Sequence, residues 1–252
     1  MEKVAIGVLL PGAQRFSDEN VNPTWKAHVQ TDKEITVAFI KPLSARKLYV
    51  ECICATLGRH LGLPIPRPII VQIPPHSIGI ANDQAILAFG SEDAGYPSLR
   101  RHLNDAEAFE KLALFGKSLD LGVFDEWIAN TDRNVGNVLF DGGNNFTFID
   151  HEHSIPENLN HSSPASDNQM IRCLFAVKSE FEKFKLNREC QINVIPQYAT
   201  VPLAILSEMT YATSYLSELE IVQVIKFLEM RIEHLHNLLT SRFQIGQHEM
   251  SL

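Results

Sequence analysis

The sequence predicts an α+β fold with a small strand-rich lobe followed by a mostly helical lobe. Three observations carry this. Short β-branched and apolar runs crowd the first third of the chain. Helical periodicity dominates from residue 104 onward. The two patterns follow one another rather than alternate, which favours segregated layers over a parallel βαβ sheet. The chain has 252 residues, enough for one domain of two lobes.

Residues 4 to 10 and 34 to 40 (EITVAFI) are read as strands. The opening apolar stretch is cut short by Pro11 and Gly12, so it is expected to be a first strand and not a signal peptide. Between the two strands lies PGAQRFSDENVNP, a run of turn formers. The segment Arg15 to Lys33 receives no assignment. A helix is expected from Ser44, an N-cap residue just past Pro42, with Tyr49, Ile53, Leu57 and Leu61 as one apolar stripe. Gly62 and Pro64 mark its end. The proline-flanked PIIVQI and then AILAF give two more strands. Ser91 to Leu103 is read as a hinge or linker.

Asn104 with Glu107 suggests a capping box for a helix through about Ser118, followed by a helix from Val123 to Asn130. NVLF and FTFID are expected to form a hairpin about DGGNN. Residues 156 to 169 look irregular. The last helix is the clearest: Ser217 and Glu220 cap it, and Ile221, Ile225, Leu228, Ile232, Leu235 and Leu239 form its stripe.

A net charge of −8 argues against general nucleic-acid or anionic-membrane binding. No apolar run reaches the roughly 20 residues of a membrane span. The four cysteines, Cys52, Cys54, Cys173 and Cys190, form no CxxC pair. Cys52 and Cys54, inside an apolar helical pattern, read as small buried hydrophobes, and the cysteine usage fits a reducing cytoplasm.

The polar stretch from Asn130 to Asp150 is where chemistry is expected. A hairpin returns its second end near its first, so Asp150 should come back beside Asp132 and Asn137. Two carboxylates and an amide at one point suit Mg²⁺ held against substrate phosphates. A carboxylate left off the metal can accept a proton from an attacking hydroxyl. Lys41 ends its strand and Glu51 lies two turns into the next helix, an arrangement that kinases use to grip phosphates. Gly12 would let backbone N–H groups approach a phosphate. Bland readings stand beside these: a solvated turn for Asp132 to Asn137, a strand-end charge for Lys41, a helix-face charge for Glu51. Strand periodicity would also put His151 and His153 on one side, but no further ligand pair completes a metal site. Arg133 is expected to orient the loop.

Taken in order, these motifs resemble the HipA-like kinase family over residues 5 to 155. PGAQ looks like its nucleotide loop, FIKP its ATP-gripping lysine, and YVECICATLGRHLGLPIPRP its glutamate helix. AILAFGS is similar to the strand entering the hinge, ANTDRNVGN to the catalytic loop and FIDHE to the metal-binding motif. The resemblance implies a single bilobal kinase domain over 1–252, with an N-lobe to about 90, a hinge at about 89–103 and a C-lobe from about 104. It implies Asp132, Lys41 and Glu51 as catalytic residues and Asn137 and Asp150 as metal ligands. Gly12, Ala13, Gln14, Lys41, Phe89, Gly90 and Ser91 would border ATP. The expected activity is Mg²⁺- and ATP-dependent transfer to a serine or threonine of a protein substrate. An antitoxin or regulatory partner stays open, as do a silent nucleotide-binding module and a small-molecule or lipid acceptor. The sequence is short beside the toxin-type members. Leu9 and Leu10 occupy the place where some members carry a regulatory serine.

Overall fold

A computed structural model describes residues 1–16, 23–80, 83–165 and 167–243. Among the described residues, eight strands and eight helices follow in the order expected for segregated layers. Six strands form one sheet: β1 (Ala5–Leu9), β2 (Gln14–Phe16), β3 (Thr24–Thr31), β4 (Ile35–Lys41), β5 (Pro68–Ile73) and β6 (Ile86–Glu92). Their order is β1-β5-β6-β4-β3-β2, and β1 also pairs with β3, so five of the strands close on themselves. β1 runs parallel to β5, and the other pairings are antiparallel.

Closing so few strands leaves little room inside, and small side chains fill it. Ala5, Ala27, Ala38 and Ala88 alternate with Leu9, Val29, Ile40, Ile69 and Val71 in one buried cluster. Gly7 belongs to the same tight interior. A Cβ there would stand 2.4 Å from Val29 Cγ1 and 2.9 Å from the Gln30 carbonyl oxygen.

Strand β3 lies in the segment left unassigned from sequence. Its period-two pattern is plain in the fold: Trp25, Ala27, Val29 and Thr31 are buried, while Lys26, His28 and Gln30 are exposed. Polar and weakly apolar residues on both faces hid that alternation. Ser17 lies outside the described residues.

Helix α1 (Ala45–His60) starts as expected, with the Ser44 hydroxyl accepting from Lys47 N. The expected single stripe is corrected: every residue from Leu48 to Gly58 is buried. The helix is covered on two sides. Leu48 and Cys52 join Ile70 and Phe89 from the sheet. Tyr49, Ile53 and Leu57 join Phe124 and Trp127 from the helical part.

The helical part begins with α2 (Ala106–Leu114) and α3 (Ser118–Trp127). The cap of α2 is Asp105, which accepts from Ala108 N, and not Asn104. The capping-box pattern was one residue out of register. Ser91, read as the start of a hinge, still belongs to β6, and Leu99–His102 forms a 3-10 turn. Strands β7 (Val138–Phe140) and β8 (Phe146–Phe148) form the expected hairpin. Then come α4 (Gln169–Ala176), α5 (Glu180–Glu189), two single-turn helices α6 (Ile195–Tyr198) and α7 (Leu206–Met209), and α8 (Glu218–Phe243). Glu220 N bonds Ser217 Oγ as the capping box requires, and Ile221, Leu228, Leu235 and Leu239 are buried. Arg231 on α8 is fully buried and donates to the Glu126 and Trp127 carbonyls, fixing α8 to the end of α3. Burial lowers its pKa to about 10, with Glu126 opposing the shift.

The four cysteines are free, and burial raises the pKa of each, consistent with apolar packing. Among the described residues no helix is long and apolar enough to cross a membrane.

Candidate active site

The site is built around a buried arginine in the polar loop. Asp125 sits near the end of α3, and the chain turns sharply at Ala129, where φ is 51°. Asn130 then folds back: its Nδ2 donates to Asp125 Oδ1 at 3.0 Å and its Oδ1 accepts from Asp132 N at 3.0 Å. Arg133 meets Asp125 with both branches of its guanidinium, Nε to Oδ2 at 2.9 Å and Nη2 to Oδ1 at 3.0 Å. Such fork-to-carboxylate pairing fixes orientation as well as charge. Its third nitrogen, Nη1, donates to the carbonyls of Asn137 at 3.1 Å and Ile149 at 2.9 Å. One side chain thus joins α3, the loop and the far end of the hairpin. The expectation that Arg133 orients the loop is a geometric fact of the fold.

The hairpin does return as its topology requires. Ile149 N donates to Asn137 O at 3.1 Å, so the residue before Asp150 lies against the loop. Asn137 is buried, and its Nδ2 donates to the Asp132 carbonyl at 2.7 Å. Asp132 itself is exposed, its Oδ2 3.4 Å from the same nitrogen.

Asp150 adopts φ 64°, a left-handed conformation that is uncommon outside glycine and that marks functional or strained positions. The turn ends the strand alternation after β8. This corrects the expectation that His151 and His153 share a side: His151 is buried and His153 exposed.

Asp150 Oδ2 lies 2.6 Å from Lys41 Nζ. Burial works against the Lys41 charge, but Asp150, Glu51 and Glu152 outweigh it and raise its pKa. Burial would likewise raise the Asp150 pKa, yet Lys41, with His151 and Arg133, holds it below its ordinary value. Glu51 stands close by on α1. Its Oε2 accepts from His151 N at 3.0 Å, while its Oε1 is buried with no hydrogen-bond partner. The lysine partner seen here is therefore Asp150, not the Glu51 that the sequence suggested. Glu51, Asp150 and Glu152 each present an oxygen within 4.8 Å of the others.

The remaining expected residues lie on the sheet. Gly12 has φ 95° and open space beside it, in the exposed turn between β1 and β2. Gln14 stands opposite Lys26, which stands opposite Phe39, two residues before Lys41. Phe89 is directly opposite Lys41 across β6 and β4, but its ring is buried with Leu48 and Cys52. A Cβ on Gly90 would meet Val71 at 2.7 Å, and Ser91 pairs with Phe39 and Pro68. Two open cavities of about 440 and 300 Å³ lie elsewhere, around Arg59 and Pro64; neither is lined by Lys41, Asp132 or Asp150.

Sequence reasoning missed Asp125, Lys47 and Glu152. Asp125 interrupts the apolar run LGVFDEWI, and a carboxylate there signals a buried partner. Glu152 was hidden between two histidines that drew attention to themselves.

A family model described as HipA-like kinase matches residues 30–172, more than half of the 252. The chain belongs to the HipA-like kinase family. The matched span holds Lys41, Glu51, Phe89 to Ser91, Asp132, Asn137, Asp150 and Glu152, but not the Gly12 turn. The chain is also similar in structure to the Helicobacter pylori proinflammatory kinase CtkA. That similarity has a TM-score of 0.53 and 13% sequence identity, over 98% of each chain. At that identity the likeness speaks for the fold alone. No curated protein sequence matches the chain. Membership of this family supports a kinase-like function.

Proposed function

We propose that the protein is an ATP-dependent phosphotransferase that moves the γ-phosphoryl group of ATP to a serine or threonine hydroxyl of a protein, in the cytoplasm. In this reading residues 1–252 form one bilobal kinase domain, with the sheet as N-lobe, a hinge near 89–103 and the helices as C-lobe. The observation that carries it is the convergence of Lys41, Glu51 and Asp150, from three separate elements, beside the Asp132–Asn137 loop.

The roles follow from position and charge. Lys41 is the cation available to the phosphates, and Glu51, with one buried oxygen unpartnered, is the group that would hold it once Asp150 lets go. Asp132 is exposed and accepts the proton of the acceptor hydroxyl. The open turn of Gly12, Ala13 and Gln14 covers the phosphates, and Phe89, Gly90 and Ser91 border the adenine. Arg133 holds the Asp132–Asn137 loop so that Asp132 needs no rearrangement during transfer.

The donor set fits Mg²⁺: a hard carboxylate from Asp150, with Asn137 in the loop that its carbonyl ties to Ile149 N, the residue before Asp150. Asn137 and Asp150 would hold the ion. Bound there, it would neutralise phosphate charge.

Incubation with radiolabelled ATP, with and without Mg²⁺, tests the reading. Magnesium-dependent label on a serine or threonine of protein supports it. Label appearing only on a lipid or a small molecule would replace the acceptor class. A second reading, a nucleotide-binding regulatory module without catalysis, draws on the engagement of Lys41 by Asp150. ATP binding with no transfer to any acceptor would favour it.

A further inference from the structure

Three carboxylates crowd the end of β8, and two lysines answer them. Glu51, Asp150 and Glu152 lie within 4.8 Å of one another by their nearest oxygens. Lys41 takes Asp150 at 2.6 Å, and Lys47 takes Glu152 at 3.0 Å. Lys47 and Glu51 are four residues apart on α1 and so share a face. The first turns of α1 grip the segment after β8 at further points. Arg46 meets Glu157 at 2.7 Å and the Ile155 carbonyl at 3.0 Å, and Glu51 receives His151 N. The Glu152 side chain is 2% exposed, so its charge must be answered locally. That charge already reaches Lys41, whose pKa it helps to raise.

An arrangement of this kind has a consequence for nucleotide binding. To grip phosphates, Lys41 must leave Asp150 and carry its charge toward the ligand. Glu51 would hold Lys41 in its phosphate-gripping place, so a further carboxylate that draws Lys41 back toward the end of β8 competes with the phosphates. Glu152 has an oxygen within 4.8 Å of one on Asp150, the carboxylate that Lys41 now holds, and its Oε1 meets Lys47 Nζ at 3.0 Å and His153 Nε2 at 3.3 Å. We propose that Lys47 is a positioning residue: by pairing with Glu152 it stops that carboxylate from competing with nucleotide phosphates for Lys41. The proposal rests on reading Lys41 as the phosphate-gripping lysine.

Four proteins test it: wild type, Lys47→Met, Glu152→Gln and the double variant, each titrated with Mg-ATP by calorimetry and assayed for KM and kcat. Lys47→Met should weaken ATP binding by about fivefold and raise KM more than it lowers kcat. Glu152→Gln alone should stay within about twofold of wild type, and adding it to Lys47→Met should restore affinity. A merely structural clamp predicts the opposite: Glu152→Gln as harmful as Lys47→Met, and no restoration. That result, or unchanged affinity in Lys47→Met, overturns the proposal. Should Glu152→Gln fail to fold, Lys47→Arg keeps the cation and must bind ATP like wild type; loss equal to that of Lys47→Met is fatal.

A wild-type protein that binds no ATP sinks the nucleotide reading and this proposal's consequence with it. Unchanged affinity in Lys47→Met, in a protein that does bind ATP, sinks the role of Lys47 alone.

Discussion

Lys41 and Asp150, 109 residues apart in the chain, meet at 2.6 Å. The contact ties the last residue of β4 to the second residue after the hairpin, and it is the point on which the functional reading turns. Both groups are partly shielded from water, so the pair is stronger than an exposed one and costly to leave half-made.

The pair should be visible in the pH dependence of stability. The Asp150 pKa is depressed in the fold, so its contribution is present above the ordinary carboxylate value of 3.8 and is lost as pH falls through the folded value. The Lys41 pKa is raised, so its contribution is complete below 10.5 and is lost as pH rises through the folded value. In nucleotide-free protein with chelator, the stability gap between wild type and Asp150→Asn should be flat near neutral pH. It should close in acid below about pH 4. A gap that persists unchanged at low pH would mean that Asp150 is not charged in the fold. Urea melts at several pH values give the answer.

Replacing Asp132 by Asn should cut phosphoryl transfer by about 10²- to 10⁴-fold, the usual weight of a general base. ATP affinity should barely change, because Asp132 is exposed and, among the described residues, bonded within its own loop. Normal turnover by Asp132→Asn would remove it from the base role.

Asp150→Ala should weaken ATP binding in the presence of Mg²⁺ more than in its absence. Calorimetry with and without the metal separates the two. Equal affinities with and without Mg²⁺ in both proteins would count against a metal role for Asp150.

Asp125→Ala should be strongly destabilising. It strands the buried Arg133 guanidinium, and breaking a buried pair on one side costs about 3–5 kcal/mol. Denaturant midpoints measure this. A loss below about 1 kcal/mol would show that the arginine finds other partners.

Local patterns made several elements legible in the sequence. The Ser44 and Ser217 caps, the β7–β8 hairpin and the α8 stripe depend on neighbours within a few residues, and the structure has them where the pattern put them. Strand β3 was not legible, because Lys26, His28 and Gln30 make up its outer face and Ala27 and Thr31 are weak signals on the inner one. The Asn104 cap failed because Asn104 and Asp105 are both good caps, and local pattern does not choose between adjacent ones.

For the site, the sequence by itself determined which residue types are present and in what order: a lysine ending a strand, a glutamate in the next helix, and a polar loop closed by a hairpin. A hairpin must return its second arm to its first, so the proximity of Asp150 to the Asn137 loop was already written there. Only the tertiary structure decided the pairing. It gave Lys41 to Asp150, Glu152 to Lys47, and the two oxygens of Asp125 to Arg133. Charges interact through space, and their partners here lie between 8 and 109 residues away, beyond the reach of any local pattern.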